Sequence, residues 1–275
     1  MRGREMSNAG LFGPGSLTWR VNREGVLLLG GGRALLLQVA HPLVAAGVAQ
    51  HSNYREDPFG RLYRTLDTVT TIVFGPTDDA EEAAERLHRI HTRVKGKADD
   101  GTPYDATSHD LLMWVHATLV DTSLLVYENY VERLTLGERE RYYEEQKQLG
   151  EKFGVPYDEQ PTTLADFNDY RDEVIYGGHT LRVTDELRDV ADATLHPQLP
   201  VGFVVRPAIE YFNLVTTALL PEWLRDELGL PWTPTRARMH AAQRAVIRRL
   251  VPALPGLLRE CPPARSADRR ARAAA

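Results

Sequence analysis

The sequence predicts an all-α protein that folds as a single compact helical domain. Apolar residues recur at helical spacing through most of the chain. The period-two alternation that is typical of strands is not sustained anywhere, and capping residues, glycines and prolines fall between the periodic segments. A hydrophobic content of 43% and a charged content of 26% over 275 residues are those of an ordinary globular protein.

The predicted helices follow one another with short connections. They span residues 26–51, 58–74, 80–95, 109–133, 136–149, 164–176, 184–195, 208–219, 221–228 and 235–250. The first segment is apolar on most sides, which indicates a buried helix or a helix pair broken at Gly30-Gly31-Gly32 or at Pro42. Segment 109–133 is apolar on nearly every face, so we expect it at the centre of the fold. Residues 96–107 and 154–161 have the composition of surface loops.

Several of these helices have recognisable ends. Asp57-Pro58 combines an N-cap with proline at the first helical position, and Gly75-Pro76 ends the helix that follows. The run Thr77-Asp78-Asp79 supplies the next cap, and Gly96 supplies the stop. Ser108 is the expected cap of the central helix.

Three parts of the chain are expected to differ in order. Residues 1–16 form a flexible N-terminus, residues 17–252 form the helical domain, and residues 253–275 form a tail rich in Pro, Arg and Ala that is expected to be disordered.

Composition excludes several classes of function. The net charge of −5 gives no basic footprint for nucleic acid. A single cysteine, Cys261, excludes an intramolecular disulfide and a cysteine-rich metal site. The N-terminus lacks the apolar core of a signal peptide, and residues 34–49 fall short of the ~20 apolar residues of a membrane span. We expect a cytoplasmic protein without a transmembrane span, and peripheral membrane contact stays open.

One histidine lies in the middle of a predicted apolar helix face. At ~100° per residue, His91 is centred on this face and His88 lies at its edge; the apolar members are Ala80, Ala83, Ala84, Leu87, Ile90 and Val94. A buried imidazole must hydrogen-bond or bind a metal. Two interpretations therefore stay open for His91, a bond to a backbone carbonyl or ligation of a metal.

A polar stripe runs along the helix predicted over residues 58–74. Arg61, Arg64 and Thr65 share it with Thr68, beside an apolar stripe. The stripe is either a solvated face or a set of guanidinium groups beside a cavity, where they would pair with the carboxylates of a cofactor or steer a polarised ligand.

Three further histidines lie in apolar surroundings. His41 and His51 belong to a segment rich in Gly and Ala, where small residues let a flat or bulky group approach the backbone. This composition indicates a cofactor pocket or, equally, a well-packed helical core. His116, on the central helix, lies toward Ser123, Tyr127 and Tyr130 at helical spacing, which favours an internal hydrogen-bond network.

Motifs of other chemistries are missing from the sequence. It contains no Gly-rich phosphate loop followed by Lys-Ser/Thr, no G-x-S-x-G nucleophile motif and no H-E-x-x-H zinc helix.

Three runs of the sequence resemble a family of helical oxygenase domains. They are QVAHPLVAAGVAQHSNYREDPFGRLYRT at residues 38–65, RLHRIHTRVKG at 86–96 and HDLLMWVHATLVDTSLLVYE at 109–128. The family includes the bacterial latex-clearing proteins, which are rubber oxygenases, and the fungal ER-bound oxygenase of mycophenolic acid biosynthesis. The resemblance covers about residues 21–156 and continues more weakly to about residue 250.

The resemblance implies a globin-like helical core around haem b. In latex-clearing proteins an arginine, a lysine three residues later and the threonine after it line the distal side, and a histidine on the next helix ligates the iron. The matching residues here are Arg61, Arg64 and Thr65, with Arg64 in the place of the lysine, and His91. A permanently charged guanidinium is a poor iron ligand, so Arg64 departs from the family pattern.

The function that this resemblance implies is oxygenation, or oxidative cleavage, of a small apolar and possibly isoprenoid molecule by dioxygen. The further cofactor-binding candidates are His41, His51 and His116. Two alternatives stay open, a haem- or ligand-binding protein without turnover and an apo structural or interaction protein.

Overall fold

Helices dominate the computed structural model, which describes residues 10–52, 54, 58–197 and 202–274. Within those residues the α-helices are α1 Leu17–Asn22, α2 Gly31–Ala40, α3 Pro42–His51, α4 Pro58–Phe74, α5 Thr77–His91, α6 His109–Tyr130, α7 Leu136–Lys152, α8 Leu164–Tyr176, α9 Asp185–Leu195, α10 Gly202–Leu219, α11 Glu222–Glu227, α12 Pro234–Leu250, α13 Gly256–Arg259 and α14 Pro262–Ala274. Short 3-10 helices span Gly25–Gly30, Tyr157–Glu159 and Val251–Ala253. The prediction of a mostly helical domain is confirmed.

Helix α6 lies at the centre of the fold, as its sequence predicts. It packs against α1, α2, α7, α12 and the first 3-10 helix. Trp114 and Tyr127 are among its fully buried side chains, and the Trp114 indole donates a hydrogen bond to the Leu37 carbonyl on α2. Because α6 is apolar on nearly every face, burial on all sides is its most favourable position.

The segment 26–51 is broken where the sequence predicts. The backbone leaves the helical region at His41, and Pro42 begins α3. The glycines at the start of α2 and just before it allow close helix contacts, since a Cβ on Gly32 would lie 2.3 Å from the Thr216 hydroxyl of α10. A Cβ on Gly30 would lie 2.5 Å from a methyl carbon of Thr122 on α6. The Gly run is therefore needed for packing.

A buried ionic network joins four helices and was not predicted. The Arg33 guanidinium lies 2.6 Å from the Asp121 carboxylate and 2.6 Å from the Thr122 hydroxyl, and it donates to the Leu219 carbonyl. Arg171 binds the other Asp121 oxygen at 3.0 Å. A buried charge is costly without partners, and these hydrogen bonds offset the cost of burying the Arg33 guanidinium.

Two predicted boundaries differ near the candidate site. The helix predicted over residues 80–95 ends at His91, so Val94 lies beyond it. The predicted loop 96–107 contains a two-stranded antiparallel hairpin, β1 Lys95–Lys97 and β2 Pro103–Asp105, in which Gly96 pairs with Tyr104. The strands have three residues each, too few for a period-two pattern to be recognised in the sequence.

The segment after residue 252, for which the sequence predicts a disordered tail, contains helices in the structure. Ala264 and Ala267 of α14 are buried with Phe74 and Trp19 in one cluster. The Trp19 indole donates to Asp268 at 3.2 Å, and Arg270 bonds the Phe74 carbonyl. Alanine has the highest helix propensity, and its small side chain allows close packing, so a composition rule that treats Arg and Ala as solvating fails here.

The expected flexible N-terminus mostly lies outside the described residues, which begin at residue 10. Phe12, in the described part, is buried in the same cluster as Trp19.

None of the described helices is by itself both long and apolar enough to cross a bilayer. Residues 25–40 and 42–51 reach that length and composition only as a pair, and the pair is bent by 106°.

Candidate functional site

Helices α4 and α5 form an antiparallel hairpin that is tightly packed at its turn. The chain reverses at Gly75-Pro76. Beside the turn, Ile72 on α4 is fully buried, and Ala80 and Ala83 on α5 are at most 2% exposed. We call this half of the hairpin the closed end.

The other half of the hairpin is open on its inward side. Thr68 and Thr65 lie four and seven residues before Ile72 and therefore on the same face of α4. Thr68 is nevertheless only half-buried, and Thr65 is exposed. On α5, Leu87 and His91 are half-buried where Ala80 and Ala83 are buried, and Ile90 is 53% exposed. In the part of the chain that the structure describes, the inward faces are therefore less buried toward the N-terminus of α4 and the C-terminus of α5. We call this half the open end.

His91 is the last residue of α5 and lies at the open end. Burial lowers the pKa of His91, and the neighbouring His88 lowers it further. The imidazole is therefore neutral at pH 7, which is the form that binds metals. By helical spacing His91 lies on the same face of α5 as Ala80 and Ala84. Its partial burial agrees with the prediction that this face points inward.

Arg61, Arg64 and Thr65 lie near the N-terminus of α4, at the same open end as His91, because the hairpin is antiparallel. Arg64 and Thr65 are exposed. The backbone of Arg61 belongs to α4, whereas its side chain lies outside the described residues. The stripe predicted from the sequence thus begins in solvent at Thr65 and runs into the core at Ile72.

The hairpin β1–β2 and helix α3 border the open end on the side of His91. Val94, one turn after His91, donates its N–H to the His91 carbonyl at 2.9 Å. A Cβ on Gly47 of α3 would lie 3.4 Å from Val94 and 3.6 Å from the Tyr104 ring. The small residue at position 47 therefore lets α3 approach this border closely.

Hydrogen bonds join helix α3 to strand β2 at this border. The Tyr104 hydroxyl donates to the Gln50 amide oxygen at 2.8 Å, and the His51 Nε2 lies 3.1 Å from the same hydroxyl. Burial raises the pKa of Tyr104, so this hydroxyl stays protonated and can donate. His51 is thus brought near the open end through Tyr104.

Sequence reasoning missed Tyr104 and Gln50. Tyr104 was assigned to a surface loop, and only the pairing of β2 with β1 places its ring against Gly47 and Gly96. Nothing local to residue 104 signals that pairing.

His41 lies at the opposite end of α3 from His51, which at 1.5 Å per residue is about 15 Å away. Its Nδ1 accepts the Leu43 N–H at 3.3 Å, so it caps α3. Burial lowers the pKa of His41. The structure gives this candidate a local structural contact and does not bring it to the open end.

His116 is buried between α6 and α7. Its Nε2 lies 2.9 Å from the Gln146 carbonyl, and its ring packs edge-on against Phe153 at 5.6 Å. Burial lowers its pKa to about 4. The predicted network toward Ser123, Tyr127 and Tyr130 is not the one observed, because the ring points to α7, where the backbone carbonyl of Gln146 is its partner.

His88 faces a different surface from His91. It is exposed and lines a cleft of about 430 Å³ with Ala84 of α5 and Glu151, Lys152 and Gly154 at the end of α7. The two histidines of the run RLHRIH therefore differ in surroundings, which makes His88 a matched control for His91.

The residues described at the open end have chemistry that a haem could use. A neutral, half-buried imidazole could supply one nitrogen ligand, and the Arg64 guanidinium on the facing helix suits a carboxylate such as this cofactor carries. Leu87 is half-buried and Ile90 is exposed, so apolar surface is available for a flat group to cover. Among the described residues, no three His, Cys, Asp or Glu side chains are grouped as a metal site of protein ligands alone.

Comparison with known proteins gives one match. Residues 19–249 match the family described as ER-bound oxygenase mpaB/B′/rubber oxygenase, catalytic domain. No curated protein and no solved structure matches the chain. The matched range extends from α1 through nearly all of α12 and contains the whole α4–α5 hairpin, so this chain belongs to the mpaB and rubber oxygenase catalytic-domain family.

Proposed function

We propose that this protein is a haem b-dependent oxygenase that acts with dioxygen on a small apolar molecule. One observation carries the proposal: the neutral imidazole of His91 ends α5 at the open end, where α4 presents Arg64 and Thr65. Membership of the oxygenase family supports the reaction class. The cofactor and the substrate class are our inference from the donor set and from the apolar surface around it.

His91 would hold the cofactor, because a neutral imidazole is the commonest protein ligand of haem iron. Bound haem supplies the redox chemistry that activates dioxygen, which side chains alone cannot supply. The protein's own contribution is to bind this group, to orient it and to set the charge around it.

Arg64 would supply a fixed positive charge at the same site. A guanidinium is a permanent cation, so this side chain could pair with a carboxylate or stabilise negative charge that develops as dioxygen is reduced. Thr65, next along the chain, offers a hydroxyl that can donate or accept a hydrogen bond. Arg61 stays a candidate from the sequence, with its side chain outside the described residues.

An apolar substrate suits the residues that remain. Leu87 and Ile90 expose aliphatic surface beside His91. The family's description names a rubber oxygenase, and rubber is an apolar hydrocarbon with carbon–carbon double bonds. We infer that an alkene, isoprenoid in class, is oxygenated or cleaved here.

The test is the absorption spectrum of protein produced with a haem precursor. The wild type should show a Soret band, His91→Ala should lose it, and His88→Ala should keep it. Oxygen consumption with a candidate alkene then separates an oxygenase from a haem-binding protein without turnover. A Soret band that is unchanged in His91→Ala, or equal loss in both variants, would remove His91 as the ligand.

A further inference from the structure

The C-terminal part of the domain exposes an unusual amount of apolar surface. Its exposed large apolar side chains are Met239, Val246, Leu250, Leu254, Leu257 and Leu258. These are six of the twelve found in the described residues, and they fall within 20 consecutive positions. We call residues 233–259 the basic–apolar segment. So dense a group is more than the scattered exposure of single side chains that any soluble protein shows.

Helix α12 arranges part of this surface in rows. Met239, Val246 and Leu250 recur at intervals of seven and four residues, so they share one stripe. Exposed Arg238 and Arg249 lie on the adjoining stripe. Ile247 lies about 80° around the helix from Met239, on the side away from Arg238 and Arg249, and packs against the core. The exposed apolar stripe thus lies between the core contact on one side and arginines on the other.

The end of the segment projects two leucines. Leu257 and Leu258 on α13 are each 72% exposed. The base of this projection is fixed, since the Arg259 guanidinium binds the buried carboxylate of Glu24 at 2.7 Å. A backbone bridge between Glu24 and Glu260 adds to the attachment. The two leucines are therefore presented by an anchored element.

The charge of the segment is opposite to that of the protein. Residues 233–259 contain six arginines and no aspartate or glutamate, whereas the whole chain has a net charge of −5. Arg259 is neutralised by Glu24, which leaves five arginines on α12 without an acidic residue in the segment. Such a local excess attracts an anionic surface.

We propose that the basic–apolar segment binds the surface of an anionic lipid bilayer, with Leu257 and Leu258 inserted among the acyl chains and the α12 arginines at the headgroups. Arginines beside an exposed apolar stripe are the arrangement that interfacial helices use. A second copy of this chain fits less well, because a two-fold contact would bring the two arginine rows together. The proposal concerns a peripheral contact and does not depend on the proposed oxygenase activity.

The experiment is co-sedimentation of the full chain with vesicles. We expect binding to phosphatidylcholine vesicles that contain phosphatidylglycerol, much weaker binding to pure phosphatidylcholine, and loss of binding in high salt. The double variant L257S/L258S should bind at least about ten-fold more weakly, because it removes the inserted hydrocarbon. R238Q/R249Q should reduce binding to anionic vesicles and its salt dependence.

Leu136→Ser is the matched control. Leu136 is an equally exposed leucine, 66% accessible, outside the segment, so its replacement should leave vesicle binding unchanged. Circular dichroism and thermal unfolding should be unchanged in all variants, since every replaced side chain is exposed. Absence of binding to anionic vesicles, or equal binding by L257S/L258S, would overturn the proposal. A dimer by sedimentation velocity that becomes a monomer in L257S/L258S would also overturn it, in favour of a second copy.

Discussion

The two ends of the α4–α5 hairpin use the same pair of helices for different purposes. At the closed end, Ile72 and Ala83 are buried, and α14 covers the outside through Ala264 and Ala267. At the open end, Thr65 and Ile90 are exposed and His91 is half-buried. Burial of apolar surface stabilises the first end, and the second end forgoes that burial. Packing therefore declines along one hairpin, over about 12 Å of α5 between Ala83 and His91.

The largest expected effect on stability comes from the closed end. Phe74→Ala removes a fully packed ring that meets Trp19 edge-on at 5.3 Å, and we expect a loss of about 3–5 kcal/mol in the free energy of unfolding. Urea unfolding followed by circular dichroism measures it. The folded fraction should keep its Soret band, because His91 lies at the other end.

Tyr63→Ala is the control for that substitution. Tyr63 is an aromatic residue on the same helix, 70% exposed in the open half, and its removal should change stability by no more than about 0.5 kcal/mol. Similar losses in the two variants would contradict the division of the hairpin into a packed and an unpacked half.

The next largest effect is the pH dependence of the free energy of unfolding. We expect His116, which is buried between α6 and α7, to contribute most of it. Its folded pKa is about 4, below the ordinary value of 6.5, so the folded state favours the neutral ring. The stabilisation is fully present above pH 6.5 and is lost as the pH falls from 6.5 through 4. A difference of this size corresponds to about 3 kcal/mol.

The measurement is urea unfolding of the wild type and His116→Gln over a pH range that begins above 6.5 and ends below 4, so that it covers both pKa values. Glutamine keeps an N–H for the Gln146 carbonyl and cannot titrate, so the variant should lose much less stability over this range. His88→Gln, an exposed replacement, should follow the wild type. An identical pH dependence in His116→Gln and the wild type would remove His116 as its source.

Much of the fold could be predicted because its signals are local. The break at Pro42, the start of α4 at Pro58 and the span of α8 each follow from capping residues or periodicity within a few positions. The pairing of Tyr104 with Gly96 and the packing of α14 on Trp19 depend on residues far apart in the chain. Single-sequence patterns carry no information on such contacts, which explains why both were missed.

The candidate site divides in the same way. His91 could be placed on an inward face from helical spacing alone, whereas the separation of His41 from His51 depends on how α3 begins and ends. The partner of His116 could not be predicted either, because it is a backbone carbonyl on a neighbouring helix. Only the family resemblance distinguished His91 from His116 as a ligand.

The smallest expected effect on stability comes from the open end, in Arg64→Leu. Arg64 is exposed, so its replacement should change the free energy of unfolding by no more than about 0.5 kcal/mol. If its charge acts on dioxygen, the same replacement should cost a few kcal/mol of transition-state stabilisation. Thermal unfolding and the autoxidation rate of the haem-loaded protein are measured together. Arg89→Leu, which replaces an exposed arginine on α5, should leave the rate unchanged. If Arg64→Leu has both wild-type stability and a wild-type autoxidation rate, the stripe is a solvated face. A charge that contacts neither the cofactor nor dioxygen would change neither measurement.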